Sequence, residues 1–139
     1  MIVYLDTSVI LRKILAEPGP AFTWGERDEA MTSELARVEA RRAIDRLRLG
    51  GDYTDEMVAT AHGKLTAFEI SIAIFPITRL VLARASAPFG TVVKALDAIH
   101  LATAMVLRER VTAELQFATH DRQQAIAARA LGFEVVSGA

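Results

Sequence analysis

Short apolar runs alternate with longer helix-like segments along almost the whole of this 139-residue chain. The runs that we interpret as strands cover residues 2–5, 30–32, 70–75, 114–119 and 133–136. Between them, apolar residues recur at the three- and four-residue spacing of helices. Strands that alternate with helices form parallel sheets whose two faces are both covered. We therefore predict an α/β fold, a three-layer α/β/α sandwich around a central parallel sheet.

Start and stop residues give the bounds of the predicted helices. These helices cover residues 7–15, 33–49, 54–68, 78–85, 94–110 and 123–131. Thr7 or Ser8 can cap the first of them. Asp52 or Thr54 can cap the third, and Gly132 is placed to end the last. The helices and strands together predict one domain over residues 1–139.

Composition bounds the chemistry and the compartment. The chain has no cysteine, which excludes thiolate metal sites, cysteine nucleophiles and disulfides. A net charge of −1 excludes a protein that coats nucleic acid through bulk positive charge. No apolar run approaches the roughly 20 residues that cross a bilayer. The opening MIVYLDT also lacks the basic region of a secretory signal, so we expect a cytoplasmic protein without membrane contact.

Four acidic residues follow strand-like runs or lie in the helices after them. They are Asp6, Glu39, Asp97 and Asp121. The carboxyl ends of parallel strands lie at one edge of a sheet, so these carboxylates can converge. Four negative charges in one small volume are tolerated chiefly when a cation neutralises them. Oxygen ligands of this kind suit Mg²⁺ or Mn²⁺, which can activate water against a phosphodiester.

Each acid also has a purely structural interpretation. Asp6 and Asp121 stand where a carboxylate can cap the next helix. Glu39 can form an ion pair with Arg42, three residues later on the same predicted helix. Asp97 differs because its neighbours are largely apolar, and a carboxylate in such surroundings needs a partner. Asp97 alone already favours a metal or other functional role, and the four acids taken together favour a metal site more strongly than any one of them.

The three histidines give a weaker signal. His100 lies among apolar residues of a predicted helix, where we expect a buried, hydrogen-bonded imidazole. His62 is expected at the surface, and His120 adjoins Asp121. Their spacing matches neither a zinc site nor an acyl-transfer site, so we assign none of them a catalytic role.

Basic residues cluster on the predicted helix at 33–49. The cluster comprises Arg37, Arg41, Arg42, Arg46 and Arg48. Charge runs of this kind usually form a solvated helix face. Arg41, Arg42 and Lys94 could instead contact phosphate groups beside an acidic centre.

The acids and their surroundings resemble the motifs of the PIN-domain family, specifically its small VapC-type toxins. YLDTSVI is similar to the first motif and TSELARVE to the second, which places their acids at Asp6 and Glu39. LDAIHLATA is similar to the third motif, the most specific of the set, and FATHDRQQA resembles the fourth. These two place the remaining acids at Asp97 and Asp121. The four motifs occur in the family's order over nearly the whole chain.

The resemblance implies an endoribonuclease that depends on Mg²⁺ or Mn²⁺ and cleaves structured RNA such as tRNA or ribosomal RNA. It further implies a growth-inhibiting toxin, a homodimer, and a cognate antitoxin protein that blocks the site. The implied roles are Asp6 and Asp97 as main metal ligands, and Glu39 and Asp121 as ligands or as groups that orient metal-bound water. Ser8 and Thr119 would support these acids.

Three other kinds of protein also carry acids at strand ends or share the fold. A receiver-type signalling domain requires adjacent acids after its first strand. A dehalogenase-type phosphatase requires Asp-x-Asp, whereas here Asp6 is followed by Thr7 and Ser8. The stronger alternative is a PIN-like module that binds RNA or protein without cleaving it. The presence of all four acids argues against that alternative.

Overall fold

The computed structural model describes residues 1–15 and 17–137. The strands are β1 (Ile2–Leu5), β2 (Glu29–Ser33), β3 (Ala73–Phe75), β4 (Leu115–Ala118) and β5 (Val135–Val136). The helices are α1 (Thr7–Ile14), α2 (Glu34–Leu49), α3 (Asp55–Ile70), α4 (Arg79–Ala85), α5 (Ala95–Arg110) and α6 (Arg122–Ala130).

The five strands form a parallel sheet in the order β3-β2-β1-β4-β5. The chain first builds the sheet outward from β1 through β2 to β3, and then returns to add β4 on the other side of β1. Leu5 of β1 pairs in register with Ala118 of β4. Because β2 and β4 lie on opposite sides of β1, the direction of strand order reverses between β1 and β4. Such a reversal opens a crevice at the carboxyl ends of the two strands.

Side chains alternate between the two faces of the sheet and define two cores. Val3 and Leu5 of β1 belong to the core formed with α1, α2 and α3. Tyr4 and Phe117 belong to the core formed with α5 and α6, and their rings stack with centroids 5.3 Å apart. Helix α4 packs on α5 through Val81. The predicted three-layer α/β/α sandwich with a parallel sheet is thus confirmed.

Side-chain caps begin α2 and α3, the second of them at Thr54, one of the two residues that the sequence offers. Ser33 accepts a hydrogen bond from the backbone of Leu35, and Thr54 accepts one from Met57. At the other end of the chain, Gly132 follows α6 with a φ of +86°, a conformation that glycine adopts without strain. The bonds to Ser33 and Thr54 satisfy backbone N–H groups at the helix starts that would otherwise have no partner.

The predicted buried strand at 70–75 is wrong in its first half. Helix α3 continues to Ile70, which is 82% exposed, and the strand covers only Ala73–Phe75. This strand is at the edge of the sheet and pairs with β2 alone, so it needs no continuous apolar run. Two apolar side chains at helical spacing are nevertheless exposed, namely Val38 of α2 and Leu96 of α5.

The longest helices are short in relation to a bilayer. Helices α2, α3 and α5 have 16 residues each. Within residues 1–15 and 17–137, none of the helices combines the length and the apolar character that a membrane crossing requires.

Leu65→Ala is expected to destabilise the fold by about 2–5 kcal/mol, because Leu65 is only 2% exposed and its loss leaves a cavity between α3 and the sheet. Leu49→Ala is the matched control, since Leu49 is 68% exposed at the end of α2. Urea unfolding of both variants measures the difference. Equal losses for the two variants would contradict the described packing of α3.

Candidate functional site

The four predicted acids line one cleft of about 540 Å³ at the carboxyl edge of the sheet. Asp6 directly follows β1, and Asp121 follows the neighbouring strand β4. Glu39 comes from α2, and Asp97 comes from the first turn of α5. The cleft therefore lies where the strand order reverses, which is the place where open parallel sheets bind ligands.

Asp6 is buried, and hydroxyl groups hold its carboxylate. Its Oδ2 accepts hydrogen bonds from Ser8 Oγ at 3.0 Å and from Thr119 Oγ1 at 2.8 Å. Asp6 precedes α1, yet its side chain makes no capping bond to the helix residues, all of which are described. Thr7 is the first helical residue, so the prediction that Thr7 or Ser8 caps α1 is wrong. The carboxylate of Asp6 therefore does not cap α1 and faces the hydroxyl groups of Ser8 and Thr119.

Asp121 combines a structural contact with a position in the cleft. Its Oδ1 caps α6 by accepting from the backbone N–H of Gln124 at 2.9 Å, as the capping interpretation predicts. Its own N–H donates to Thr119 Oγ1 at 3.0 Å. The same hydroxyl donates to Asp6, so Thr119 joins the two acids that follow β1 and β4.

Asp97 is half-buried, and its carboxyl group is held in an unfavourable electrostatic environment. Burial raises its pKa above the usual value, and the charges of Asp6 and Asp121 raise it further. The backbone carbonyl of Asp97 accepts from Gln124 Nε2 at 3.1 Å, which ties the start of α5 to α6. The raised pKa thus reflects burial first and the neighbouring negative charges second.

Glu39 does not form the ion pair with Arg42 that the sequence allowed. Its Oε1 instead accepts from His100 Nε2 and from Thr7 Oγ1, the latter at 2.8 Å. Arg42 pairs with Asp45 at 3.1 Å. Burial alone would raise the pKa of Glu39, but the hydrogen bond and charge of His100 outweigh it and hold the pKa below its usual value.

His100 is as buried as the sequence indicates, but the sequence did not predict its hydrogen-bond partners. Burial alone would lower its pKa, yet the bond to Glu39 and the charge of Asp6 outweigh that effect and raise it. Glu39 and His100 are 61 positions apart in the chain. One feature of the sequence does indicate that His100 lies near the site. It follows Asp97 by three residues and so lies on the same side of the helix.

The donor chemistry of the cleft suits a hard divalent cation, because carboxylate and hydroxyl oxygens dominate around Asp6. Among the described residues, however, no three acidic or histidine side chains are grouped closely enough to hold an ion. The hydrogen bonds above give the reason: each of Asp6, Glu39 and Asp121 is turned toward a donor of the protein itself. A bound cation would have to compete with those donors.

Several arginines of α2 form ion pairs, and two arginines of this helix line the cleft. Arg37 and Arg41 both pair with Glu69 of α3, at 2.6 and 2.7 Å. Arg42 and Arg46 line the cleft, one helical turn apart. The cleft thus carries positive charge on one wall beside its acids.

The sequence matches known proteins over nearly its full length. A family profile described as PIN domain matches residues 3–130. Ribonuclease VapC47 from Mycobacterium tuberculosis (strain CDC 1551 / Oshkosh) is 30% identical over 142 residues, which cover 97% of this chain and 96% of that protein.

Two solved structures share the fold at low sequence identity. The crystal structure of VapBC2 from Rickettsia felis, bound to a DNA fragment from their promoter, has a TM-score of 0.69 at 12% identity and covers 98% of both chains. The crystal structure of FitAcB from Neisseria gonorrhoeae has a TM-score of 0.69 at 21% identity, covering 97% of this chain and 96% of that one.

Asp97→Asn is expected to raise the melting temperature of the metal-free protein at neutral pH, because it removes a half-buried charge that neighbouring acids repel. A carboxylate in the first turn of a helix normally gains from the helix dipole. The raised pKa of Asp97 means that burial and neighbouring acids outweigh that gain. Thermal unfolding in chelator measures the effect.

The pH dependence checks the cause. A raised carboxyl pKa makes the wild type lose stability as pH rises through the carboxyl range, so the advantage of Asp97→Asn should vanish in acid. Asp45→Asn is the control, because a hydrogen bond from Arg48 lowers the pKa of Asp45, and its removal should give no gain. A lower melting temperature for Asp97→Asn at neutral pH would contradict the crowding.

Proposed function

This chain belongs to the PIN-domain family, in its VapC-type branch, and we propose that it is a metal-dependent endoribonuclease toxin. The observation that carries the proposal is the presence of Asp6, Glu39, Asp97 and Asp121 around one cleft. The name of the Mycobacterium tuberculosis relative, a ribonuclease, supports cleavage of RNA.

The four acids are the groups that would hold Mg²⁺ or Mn²⁺. Asp6 and Asp97 are the proposed main ligands, with Glu39 and Asp121 as further ligands or as groups that orient water. The pKa of Asp97 is raised first by burial and then by the charges of Asp6 and Asp121. It supports this assignment because a cation would offset the part that those charges contribute. When bound, such an ion makes water a stronger nucleophile and offsets the charge that develops on the phosphate.

The protein's own hydroxyls prepare the site. Ser8 and Thr119 fix the carboxylate of Asp6 through two hydrogen bonds, so its orientation does not depend on solvent. Residues that orient metal ligands in this way commonly contribute to both affinity and activity. Their role in the proposed site is therefore to position Asp6.

Structured RNA, such as tRNA or ribosomal RNA, is the proposed substrate. The chain as a whole carries a net charge of −1, so RNA must be held by local positive charge. Arg42 and Arg46 supply that charge on the α2 wall of the cleft, within reach of a phosphate backbone that enters it. Arg42 also pairs with Asp45 on its own helix. Arg41 pairs with Glu69 of α3 and does not line the cleft.

A cognate antitoxin and a second copy of the chain are the proposed protein partners. The solved structures that share the fold include VapBC2 from Rickettsia felis, VapBC-1 from nontypeable Haemophilus influenzae and a toxin–antitoxin complex from Klebsiella pneumoniae. Val38 and Leu96 line the cleft with exposed apolar side chains, which suits coverage by another protein.

Purified wild-type protein is expected to cleave total RNA in Mn²⁺ and to stop when the metal is chelated. Asp6→Asn should lower cleavage by roughly 100-fold or more, because it removes a proposed ligand. Asp52→Asn is the matched control, since Asp52 is exposed in the turn between α2 and α3. Gel analysis of labelled RNA measures all three proteins.

Binding of the metal has its own readout. Mn²⁺ should raise the melting temperature of the wild type by mass action, and that of Asp6→Asn by less. Expression of the wild type, but not of Asp6→Asn, should arrest bacterial growth. Cleavage that survives both chelation and Asp6→Asn would contradict the proposal, and absent cleavage would favour a PIN-like binding module.

A further inference from the structure

We propose that His100 is a positioning residue for Glu39, which it holds through one carboxylate oxygen in the cleft. The inference rests on the proposed function, because it concerns how one of the four acids is presented to metal and RNA. It adds a residue that lies outside the four acids and belongs to the core of the protein. His100 is 0% exposed, whereas Glu39 lines the cleft.

The imidazole of His100 is fixed at both of its nitrogens. Nδ1 lies 2.7 Å from the hydroxyl of Tyr4, a residue of the central strand β1. Nε2 lies 3.0 Å from Thr7 Oγ1 and is also hydrogen-bonded to Glu39 Oε1. The ring of Tyr4 stands edge-on to the imidazole, with centroids 5.9 Å apart. These contacts leave the ring little freedom to turn.

The chemistry of the partners identifies which nitrogen carries a proton. A carboxylate only accepts hydrogen bonds, so the bond to Glu39 requires a proton on Nε2 of His100. The Tyr4 hydroxyl can donate or accept, and therefore suits Nδ1 in either state. His100 is thus a donor to Glu39 whether the imidazole is neutral or charged.

Both bonds to Glu39 fall on the same oxygen. His100 and Thr7 donate to Oε1, and neither of them uses Oε2. A cation that approached Oε1 would have to displace two donors, because they occupy the lone pairs it needs. The arrangement therefore favours a role for Glu39 through Oε2, and disfavours bidentate chelation by that residue.

His100 also joins two walls of the cleft. It lies three residues after Asp97 on α5, while Glu39 belongs to α2. The bond between them ties α2 to the helix that carries Asp97. An apolar residue could fill the same space, but it could not orient a carboxylate.

The test compares two replacements of His100, one whose side chain can still donate to Glu39 and one whose side chain is too short to do so. His100→Gln keeps an N–H donor at nearly the reach of Nε2, whereas His100→Asn is one carbon shorter and cannot reach Glu39. In Mn²⁺, His100→Asn should lower the single-turnover rate of RNA cleavage by about 10–100-fold, and His100→Gln should stay within about fivefold of wild type. If His100→Asn does not fold, Tyr4→Phe, which releases Nδ1, takes its place and should give a smaller loss.

A double-mutant cycle separates positioning from general packing. In a Glu39→Gln background, His100→Asn should lower the residual cleavage by less than about threefold, because the group it positions is already gone. The Kd for Mn²⁺ by calorimetry should change by less than about threefold, or tighten, since a competing donor is removed. Unfolding of the metal-free variants should likewise show coupling between the two positions.

Two results would overturn the inference. One is a full 10–100-fold loss on adding His100→Asn to Glu39→Gln, which would mean that His100 acts independently of Glu39. The other is wild-type cleavage by His100→Asn. Failure of the proposed function looks different, because wild-type protein would then cleave no RNA in Mn²⁺ whatever stands at position 100.

Discussion

Four ionisable acids share one cleft, and the energetic cost of that crowding organises the surrounding side chains. The cost is visible at Asp97, whose pKa is raised by burial and by the charges of Asp6 and Asp121. The other acids are stabilised by donors that the protein supplies. Hydroxyl groups donate hydrogen bonds to Asp6, and the imidazole of His100 donates one to Glu39. Among these four acids, Asp97 is the one with the least such compensation.

The sheet places the four carboxylates at the carboxyl end of its central strand. Strand β1 is central and buried, with β2 and β4 on its two sides, so its carboxyl end is fixed in position. The reversal of strand order beside β1 separates the helices that follow β2 and β4, and the cleft opens between them. The acids thus come from three layers of the structure, but they reach the same water-accessible volume.

The architecture and the four acids could be predicted from the sequence because their signals are local. The alternation of strands and helices predicts the parallel sheet. The position of Asp6 and Asp121 just after predicted strands indicates that both lie at the carboxyl edge of that sheet. The errors occur where tertiary contacts decide. The apolar run at 70–75 did not reveal that its first residue ends α3 and that its last three form an edge strand. Glu39 had a plausible partner nearby in Arg42, but it bonds to His100 on a distant helix, a choice that only packing makes.

The hydroxyl of Thr119 has a consequence for how the loop after β4 can vary. It donates to the carboxylate of Asp6 and accepts from the backbone of Asp121, and only one residue separates it from Asp121. An inserted residue at this point would move the start of α6 away from β1 and break both bonds. The segment of residues 17–28, which lies between α1 and β2, carries no such shared atom with Asp6. Length changes among homologous chains should therefore accumulate in that segment and be rare between Thr119 and Asp121.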